Sequence, residues 1–183
     1  FSFRDAVEDS FDLVAPSAAG KGLDLAYRVD SSVPAMLLGD VTRVRQVLLN
    51  LLVNARDALP AGGCITIRTA TATLARGSAA QRDTGLTPGC YVQLSVEDNG
   101  VGMDPATQAR IFEPFFTTKE PGRGTGLGLS TVYGLLQQGG GAITVTSAPR
   151  HGTTFVAYLP AGVLPADAAA AAAPDVAAIG GRL

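Results

Sequence analysis

A glycine-rich stretch that runs into a helical pattern is the feature that most constrains what this chain can fold into. The stretch reads GRGTGLGLS and covers residues 122–130. Glycine lacks a Cβ, so its backbone can turn tightly and bring N–H groups close to an anion. The helix that follows adds unsatisfied backbone donors and the positive end of its dipole. The stretch indicates a phosphate-binding loop, although a flexible turn before an ordinary helix explains it equally well when it is taken alone.

Two common phosphate-binding loops do not fit this stretch. It lacks the Gly-Lys-Ser/Thr ending of the P-loop of nucleoside triphosphatases. A dinucleotide-binding fingerprint would follow a hydrophobic strand and precede an acidic residue about 20 residues later. Neither condition is met here. If the stretch is a phosphate-binding loop, it therefore belongs to another kind of anion site.

Composition and charge narrow the class of protein. The 183 residues are 46% hydrophobic and 16% charged, which is enough for one domain with a sizeable core. The net charge of −2 gives no electrostatic footprint for nucleic acid or an anionic membrane. No apolar run is long enough to span a membrane and no targeting signal is visible, so we expect a soluble, cytoplasmic domain. Because the chain begins at Phe1 rather than Met, we also expect an excised or processed fragment.

Two cysteines and one histidine cannot make a metal site by themselves. Cys64 and Cys90 each flank a strand-like run. Free thiols in a reducing cytosol are favoured over a structural disulfide.

Hydrophobic periodicity predicts a mixture of helices and strands. Predicted helices cover residues 3–19, 40–59, 105–111 and 127–138, and predicted strands cover residues 23–29, 64–70, 91–97, 142–146 and 153–159. Residues 75–89 are small and polar and are predicted to form a long surface connection. Residues 112–125 have few periodic apolar positions and several Gly and Pro, which is typical of a lid. We predict one domain over residues 1–160 and an alanine-rich linker or tail over residues 161–183.

A row of amide side chains lies beside the apolar face of the best predicted helix. Gln46, Asn50 and Asn54 recur every four residues. Asparagine is a mediocre helix former, so two of them among leucines cost helical stability unless something uses them. Amide oxygens at this spacing can share Mg²⁺ that substrate phosphates complete. Exposed asparagines without a role are an equally good interpretation of the row alone.

An acidic strand end and two lid cations complete the candidate site. Asp98 ends a predicted strand before two glycines, where a planar ligand could approach the backbone. Taken singly, it is more typical of a turn-forming Asp. Lys119 and Arg123 are the cations of the predicted lid. Beside a phosphate-binding loop they are candidate partners of anionic oxygens, and otherwise they are solvated loop charges.

Five motifs in this order resemble the catalytic, ATP-binding domain of sensor histidine kinases. The motifs are QVLLNLLVNARDA at residues 46–58 (N box), DNGVGM at 98–103 (first glycine box), FEPFFTTK at 112–119 (F box), GTGLGLS at 124–130 (second glycine box) and GTTF at 152–155. The catalytic domain of sensor histidine kinases belongs to the GHKL superfamily, or Bergerat fold, which it shares with gyrase, MutL and a heat-shock chaperone. The resemblance covers about residues 23–160. The FFTTK and GLGLSTVYGLLQQ segments are most similar to the nitrogen-regulatory and PAS-linked hybrid kinases.

The resemblance implies a fold and a set of site residues. The fold is an α/β two-layer sandwich, with a mixed, largely antiparallel sheet, three main helices on one face and an ATP lid. The implied nucleotide-binding residues are Asn54, Asp57, Asp98, Gly100, Gly102, Lys119, Arg123, Gly124, Thr125, Gly126, Leu127, Gly128, Thr153 and Thr154, and the implied catalytic residues are Asn50, Asn54 and Lys119.

Each group has an implied task. Asp98 would accept a hydrogen bond from the adenine amine, with Thr153 or Thr154 assisting near the ring. Asn54, helped by Asn50, would hold Mg²⁺. The lid cations and the amides of the second glycine box would bind the phosphates. Asp57 stands where some relatives carry Lys, so Arg56 or Lys119 would have to supply that cation. Phe115 and Phe116 would set the lid and meet a partner helix.

The implied function is transfer of the γ-phosphoryl group of ATP to a histidine on a dimerisation domain outside this sequence, and then to a response-regulator receiver domain. The hydrolytic relatives have a glutamate one turn before the metal asparagine. Here that position is Asn50, whose amide cannot act as a general base, so transfer is favoured over hydrolysis. The single histidine, His151, lies in a predicted turn and is not the expected acceptor. A non-catalytic nucleotide-binding module and a GHKL ATPase remain the alternatives.

The resemblance also sets expectations for assembly. We expect this fragment to be monomeric and its full-length parent to be a homodimer. We expect it to contact neither nucleic acid nor a membrane.

Overall fold

The computed structural model describes residues 1–120 and 124–162. The helices are α1 (Phe3–Ala19), α2 (Val41–Ala58), α3 (Ala79–Thr84), α4 (Pro105–Gln108) and α5 (Gly128–Gln138), and the strands are β1 (Leu23–Val29), β2 (Gly63–Leu74), β3 (Gly89–Asp98), β4 (Ala142–Ser147) and β5 (Thr153–Pro160). Every helix and strand predicted from periodicity is present, most of them within about two residues of the predicted bounds. The helix predicted over residues 105–111 ends already at Gln108, and the strand predicted over residues 64–70 continues to Leu74.

The strands form one sheet in the order β1-β2-β3-β5-β4. Strand β1 runs parallel to β2, whereas the other neighbouring pairs are antiparallel. The register places Asp98 of β3 opposite Thr153 of β5, and Glu97 opposite Thr154. Since side chains alternate along a strand, Asp98 and Thr153 share one face of the sheet, and Glu97 and Thr154 share the other.

The three long helices pack on one face of this sheet. Leu48, Leu51 and Leu52 of α2 are 0–1% exposed and lie at the centre of the core. Residues of α1 and α5 join the same apolar cluster, together with alternate residues of β2, β3 and β5. Helix α2 begins at Val41 because the Asp40 carboxylate accepts hydrogen bonds from the N–H groups of Thr42 and Arg43. The predicted two-layer fold class is confirmed.

The other face of the sheet carries a smaller cover that the sequence did not predict. Residues 75–89 contain α3, which the Ser78 hydroxyl caps and which Gly85 ends in the left-handed conformation. Leu86 packs there in a second apolar cluster with side chains of β2, β3, β4 and β5. The helix is short and lacks a periodic apolar stripe, so hydrophobic spacing could not identify it.

Three further predictions concern the cysteines, membrane-spanning helices and the domain boundary. Cys64 and Cys90 are both free thiols, as predicted. Within residues 1–120 and 124–162, no helix combines the length and the apolar character needed to cross a membrane. Residues 163–183 of the predicted tail lie outside the described residues, and the domain boundary at residue 160 stays a prediction.

Candidate functional site

A cavity of about 470 Å³ lies between α2, the start of α5, the lid segment and the place where the end of β3 pairs with the start of β5. The predicted site residues that line it are Asn50, Asn54, Asp57, Asp98, Gly102, Lys119, Gly124, Thr125, Gly126, Gly128 and Thr153. They come from all five motifs, which are separated by up to about a hundred residues in the sequence. The fold therefore brings the motifs to one place.

Three predicted residues do not line the cavity, and a fourth is outside the described residues. Thr154 lies on the sheet face away from it. The N–H of Leu127 donates to Thr125 Oγ1 over 3.3 Å, so this amide is already engaged. A Cβ at Gly100 would come within 2.5 Å of the Ala58 carbonyl oxygen, so this glycine allows two chain segments to pack. Arg123 falls in the gap at residues 121–123.

The buried end of the cavity is built around Asp98, which is 4% exposed. Its Oδ1 accepts a hydrogen bond from the Gly100 N–H over 2.9 Å. Burial raises the pKa of Asp98 above its ordinary value, and the backbone N–H groups of Gly100 and Thr153 oppose that rise only in part. A buried carboxyl that faces a cavity is a strong acceptor for a donor on a ligand.

Two glycines hold this end of the cavity together. Gly102 and Gly152 have φ of 65° and 77°. A Cβ would lie 1.9 Å from the Ala148 carbonyl oxygen at Gly102, and 1.9 Å from the Asp98 carbonyl oxygen at Gly152. The sequence suggested that Gly102 lets a ligand approach the backbone. In the structure both glycines let the β4–β5 turn pack against the end of β3.

The Asp98 end lies beside the C-terminal end of α2, where the Val101 N–H donates to the Ala58 carbonyl oxygen over 3.1 Å. The opposite end lies one and two turns earlier on α2, where Asn54 and Asn50 face the start of α5. Asn54 Nδ2 donates to the Asn50 carbonyl oxygen over 2.8 Å, which engages one of its two N–H groups and leaves its amide oxygen available to a ligand. A Cβ at Gly128 would lie 3.3 Å from Asn54 Nδ2. Among residues 1–120 and 124–162, no side chain caps the N-terminus of α5. Amide oxygens and free backbone donors thus lie side by side.

A cluster of charged side chains lies beside this end. Lys119 Nζ donates to Asp57 Oδ2 over 2.7 Å, and Arg56 donates to Asp57 Oδ1 over 3.0 and 2.8 Å. Burial alone would raise the pKa of Asp57, but the hydrogen bonds and charges of Lys119 and Arg56 outweigh it and leave the pKa below its ordinary value. The three groups carry a net charge of +1, which suits an anionic ligand.

The lid is attached to the glycine-rich loop through Phe115. Its N–H donates to the Gly126 carbonyl oxygen over 3.0 Å, and both residues have positive φ. The Phe115 side chain is 74% exposed. Phe116 lines the cavity instead, with the Arg110 guanidinium 4.4 Å from its ring centre. The two phenylalanines, grouped together by the sequence, therefore point to different surroundings.

Sequence reasoning missed the apolar side chains that line the cavity. They are Val53, Val101, Met103, Ile111, Phe116, Leu129 and Phe155. Most lie within or next to the five motifs, so nearness to the motifs was the signal that could have found them. The cavity therefore combines apolar side chains with many polar and charged ones, which suits a ligand that has both an apolar and a charged part.

The sheet order, the three helices on one face and the cavity beneath a lid define the GHKL class of ATP-binding domain. The family of histidine kinase-, DNA gyrase B- and HSP90-like ATPases (HATPase_c) matches residues 39–163. The chain belongs to this family.

Relatives within the family are sensor kinases. The chain is 45% identical over 141 residues to the sensor kinase CckA of Brucella abortus, which covers 76% of this chain and 15% of that protein. It is 35% identical over 157 residues to the sensor histidine kinase ZraS of Klebsiella oxytoca, covering 86% of this chain and 30% of that protein. The chain thus spans a small part of the length of these relatives.

Solved structures agree with these relatives. The crystal structure of full-length ShkA in complex with AMPPNP superposes with a TM-score of 0.72 at 30% identity, covering 91% of this chain and 31% of that one. The catalytic domain of histidine kinase ThkA superposes with a TM-score of 0.70 at 27% identity, covering 88% of this chain and 93% of that one. The predicted family and fold class are confirmed. The similarity to the nitrogen-regulatory branch stays a prediction.

Proposed function

We propose that this domain binds Mg²⁺ and ATP in the cavity and donates the γ-phosphoryl group to a histidine of a dimerisation domain outside this sequence. The observation that carries the proposal is that the two ends of the cavity offer different chemical groups. One end offers a buried carboxyl group, and the other offers amide oxygens, a helix N-terminus and a lysine. ATP has the matching polarity, with an amino group on its base and negative charge on its phosphates.

Asp98 is the residue proposed to recognise the base. Its carboxylate would accept a hydrogen bond from the exocyclic amino group of adenine. Thr153 lies opposite Asp98 on the same face of the sheet and is 5% exposed. The apolar side chains of Met103 and Ile111 would pack on the flat faces of the ring.

The α2 face and the start of α5 are proposed to hold the phosphates. The free amide oxygen of Asn54, with that of Asn50, is a hard oxygen donor of the kind that Mg²⁺ prefers. No cluster of three His, Cys, Asp or Glu side chains that could hold a metal occurs within residues 1–120 and 124–162, so phosphate oxygens and water would complete the coordination. When bound, Mg²⁺ would neutralise charge on the phosphates. Lys119 and the backbone N–H groups at the start of α5 would bind the remaining oxygens.

Phosphoryl transfer requires mainly positioning and charge neutralisation from the protein. A ring nitrogen of the acceptor histidine would form the new bond to the γ-phosphorus as the bond to the bridging oxygen breaks, and ADP would leave. Asn50 cannot take a proton from water, because an amide is not a base in this pH range. The domain would therefore hydrolyse ATP slowly on its own and transfer efficiently when an acceptor is supplied.

Calorimetric titration with a non-hydrolysable ATP analogue tests the binding step. We expect binding in the micromolar range that weakens without Mg²⁺ and in Asn54→Ala. Gln46→Ala is the matched control, since Gln46 has the same amide group, lies on the same side of α2 and is exposed outside the cavity. Equal losses in the two variants would contradict the assignment of Asn54.

Adding a separate histidine-bearing dimerisation domain tests the transfer step. Phosphohistidine that forms with ATP supports the kinase. Nucleotide binding without phosphohistidine would favour a regulatory module, and steady release of phosphate without an acceptor would favour an ATPase.

The wider context of the domain is part of the proposal. We propose that the phosphoryl group passes from the histidine to a response-regulator receiver domain, that the full-length protein is a cytoplasmic or cytoplasm-facing homodimer, and that this domain alone is a monomer. The names "sensor kinase" and "two-component sensor" among the relatives support this proposal. Light scattering on the isolated domain tests the monomer.

A further inference from the structure

We infer that Ser147 is a positioning residue that makes Thr153 a pure hydrogen-bond acceptor, and that the cavity thereby selects a purine with an exocyclic amino group over one with a carbonyl group. The inference rests on the proposed function, because it concerns how the same cavity would choose its base. Ser147 ends β4 and does not line the cavity, and no motif points to it.

Ser147 sits at the centre of three short hydrogen bonds. Its Oγ accepts from the Met103 N–H over 2.9 Å and donates to the Gly152 carbonyl oxygen over 2.8 Å. The same Oγ lies 3.0 Å from Thr153 Oγ1, where either hydroxyl could be the donor by distance alone.

The proton count decides which hydroxyl donates. A serine hydroxyl has one proton and two lone pairs. The carbonyl oxygen of Gly152 can only accept, so the proton of Ser147 is used there. Thr153 must therefore donate its own proton to Ser147, and Ser147 is then fully used with one donated and two accepted bonds. Thr153 Oγ1 has only lone pairs left for a ligand.

Asp98, which lies next to Thr153, is also a hydrogen-bond acceptor. Asp98 is paired with Thr153 in the sheet register, and both are buried at this end of the cavity. The carboxylate of Asp98 offers acceptors, as does Thr153. An amino group on the base has two N–H donors for such a pair of acceptors. A carbonyl oxygen in the same place would face the lone pairs of both Asp98 and Thr153. This repulsion, together with the loss of two hydrogen bonds, discriminates more strongly against the wrong base than a missing hydrogen bond alone.

The test compares two nucleotides rather than one affinity. Non-hydrolysable analogues of ATP and inosine triphosphate differ in the amino or carbonyl group at C6 of the base, and in the lone pair or N–H group at the adjacent N1. The Ser147→Ala variant releases the proton of Thr153, which can then turn into the cavity and donate to a carbonyl. We expect the preference for the ATP analogue over the inosine analogue, measured by calorimetry, to fall about fivefold to tenfold. Ser147→Thr keeps a hydroxyl and should restore the preference.

A merely structural role for Ser147 predicts a different result. Losing its bonds to Met103 and Gly152 would weaken both nucleotides by the same factor and leave the preference unchanged, which would overturn the inference. In a Thr153→Val background, Ser147→Ala should have no effect on the preference, because the hydroxyl that it acts through is absent.

Thr153→Val keeps the inference testable if Ser147→Ala does not fold. The valine removes an acceptor, so affinity for the ATP analogue should fall while affinity for the inosine analogue is unchanged or rises. A larger loss for the inosine analogue would show that Thr153 donates, and would overturn the inference. If the wild type binds neither nucleotide, the proposed function fails with it, whereas binding with an unchanged preference removes only the role of Ser147.

Discussion

The Asp98 end of the cavity is the end of a central strand sealed by backbone, whereas the Asn54 end is a helix face covered by long side chains. Asp98 and Thr153 are 4% and 5% exposed, and a Cβ at Gly152 would lie 1.9 Å from the Asp98 carbonyl oxygen. At the other end, the side chains of Lys119 and Asp57 are 32% and 23% exposed, and the ion pair between them joins the lid to α2.

The difference teaches how one cavity can combine selectivity with movement. Buried hydrogen-bonding groups that are held by strand pairing cannot adjust, so they discriminate between bases. Partly exposed charges on flexible side chains bind phosphates in several geometries and are screened by solvent. We therefore expect substitutions at the Asp98 end to have larger effects on binding than those at the Asn54 end.

Gly152→Ala should have the largest effect. The new Cβ would meet the end of β3 and would also force alanine to a φ of 77°. The strain and the overlap together should lower the free energy of unfolding by about 3 kcal/mol and remove detectable nucleotide binding. Thermal unfolding and calorimetric titration measure the two effects.

Gly62→Ala is the matched control for this prediction. Gly62 has the same φ of 77°, but nothing lies within 4 Å of the Cβ position. We expect it to cost about 1 kcal/mol of stability and to leave binding intact. Equal effects of the two variants would mean that backbone strain, and not packing at the end of β3, is responsible.

Asp98→Asn should come next. Loss of a charged acceptor is worth about 1.5–3 kcal/mol, so the affinity for an ATP analogue should fall roughly 10- to 150-fold in calorimetric titration. Glu97→Gln is the control, because Glu97 is adjacent but on the other sheet face, where it pairs with Arg68. An unchanged affinity in Asp98→Asn would contradict the assignment of Asp98 as the residue that recognises adenine.

The stability of the nucleotide-free Asp98→Asn protein should move the other way. Burial raises the pKa of Asp98 when the protein folds, so ionising this carboxyl group costs more free energy in the folded protein than in the unfolded chain. Its contribution to stability is fully present below the ordinary pKa of 3.8 and is lost as the pH rises through the raised folded value. At pH 7 the variant should therefore unfold at a temperature no lower than the wild type.

Lys119→Met should have an intermediate effect. Removing one phosphate-binding cation from a partly exposed position should weaken the ATP analogue about tenfold, while Lys119→Arg, which keeps the charge, should weaken it less. A double-mutant cycle with Asp57→Asn, followed by urea unfolding, should give a coupling of about 0.5–1 kcal/mol at neutral pH.

The coupling between Asp57 and Lys119 should depend on pH. The pKa of Asp57 is lowered in the folded protein, so the stabilisation is present above the ordinary value of 3.8 and is lost as the pH falls through the lower folded value. A coupling that persists well below that value would show that the charges are not its source.

Thr154→Ala should have the smallest effect on binding, less than about twofold, because surface substitutions away from a site change free energies by at most about 0.5 kcal/mol. Thr153→Ala, one residue earlier and on the cavity face, should weaken binding several-fold more. A loss in Thr154→Ala as large as that in Thr153→Ala would mean that the register does not decide which threonine meets the ligand.

Much of the fold could be predicted because the signals are local. Helix α2 is predicted by the spacing of its leucines and by the Asp40 cap. The same spacing places Asn50 and Asn54 on one side of the helix. The strands follow from alternation and turn residues. Helix α3 could not be predicted from hydrophobic spacing. Its cap is a local signal, but the apolar contacts that hold this segment are made with the sheet face opposite the three long helices.

The candidate site was predicted as a set of residue types, and less well as a set of contacts. The sequence left Thr153 and Thr154 equivalent, and strand register separated them. It proposed Lys119 as a phosphate-binding cation and Asp57 as an anomaly, but it could not show that the two side chains are in contact across 62 residues of chain. Ser147 carried no signal, because its role depends on how three hydrogen bonds share one proton.

By itself, the sequence determined the order of the elements, the apolar faces and the chemistry of the motif residues, because propensity and periodicity act over a few neighbouring residues. Only the tertiary structure decided which acceptors share a sheet face, which glycines seal the β3 end and which cation reaches which carboxylate. Those outcomes depend on strand register and on distances between segments that are far apart in the chain, and no local pattern contains them.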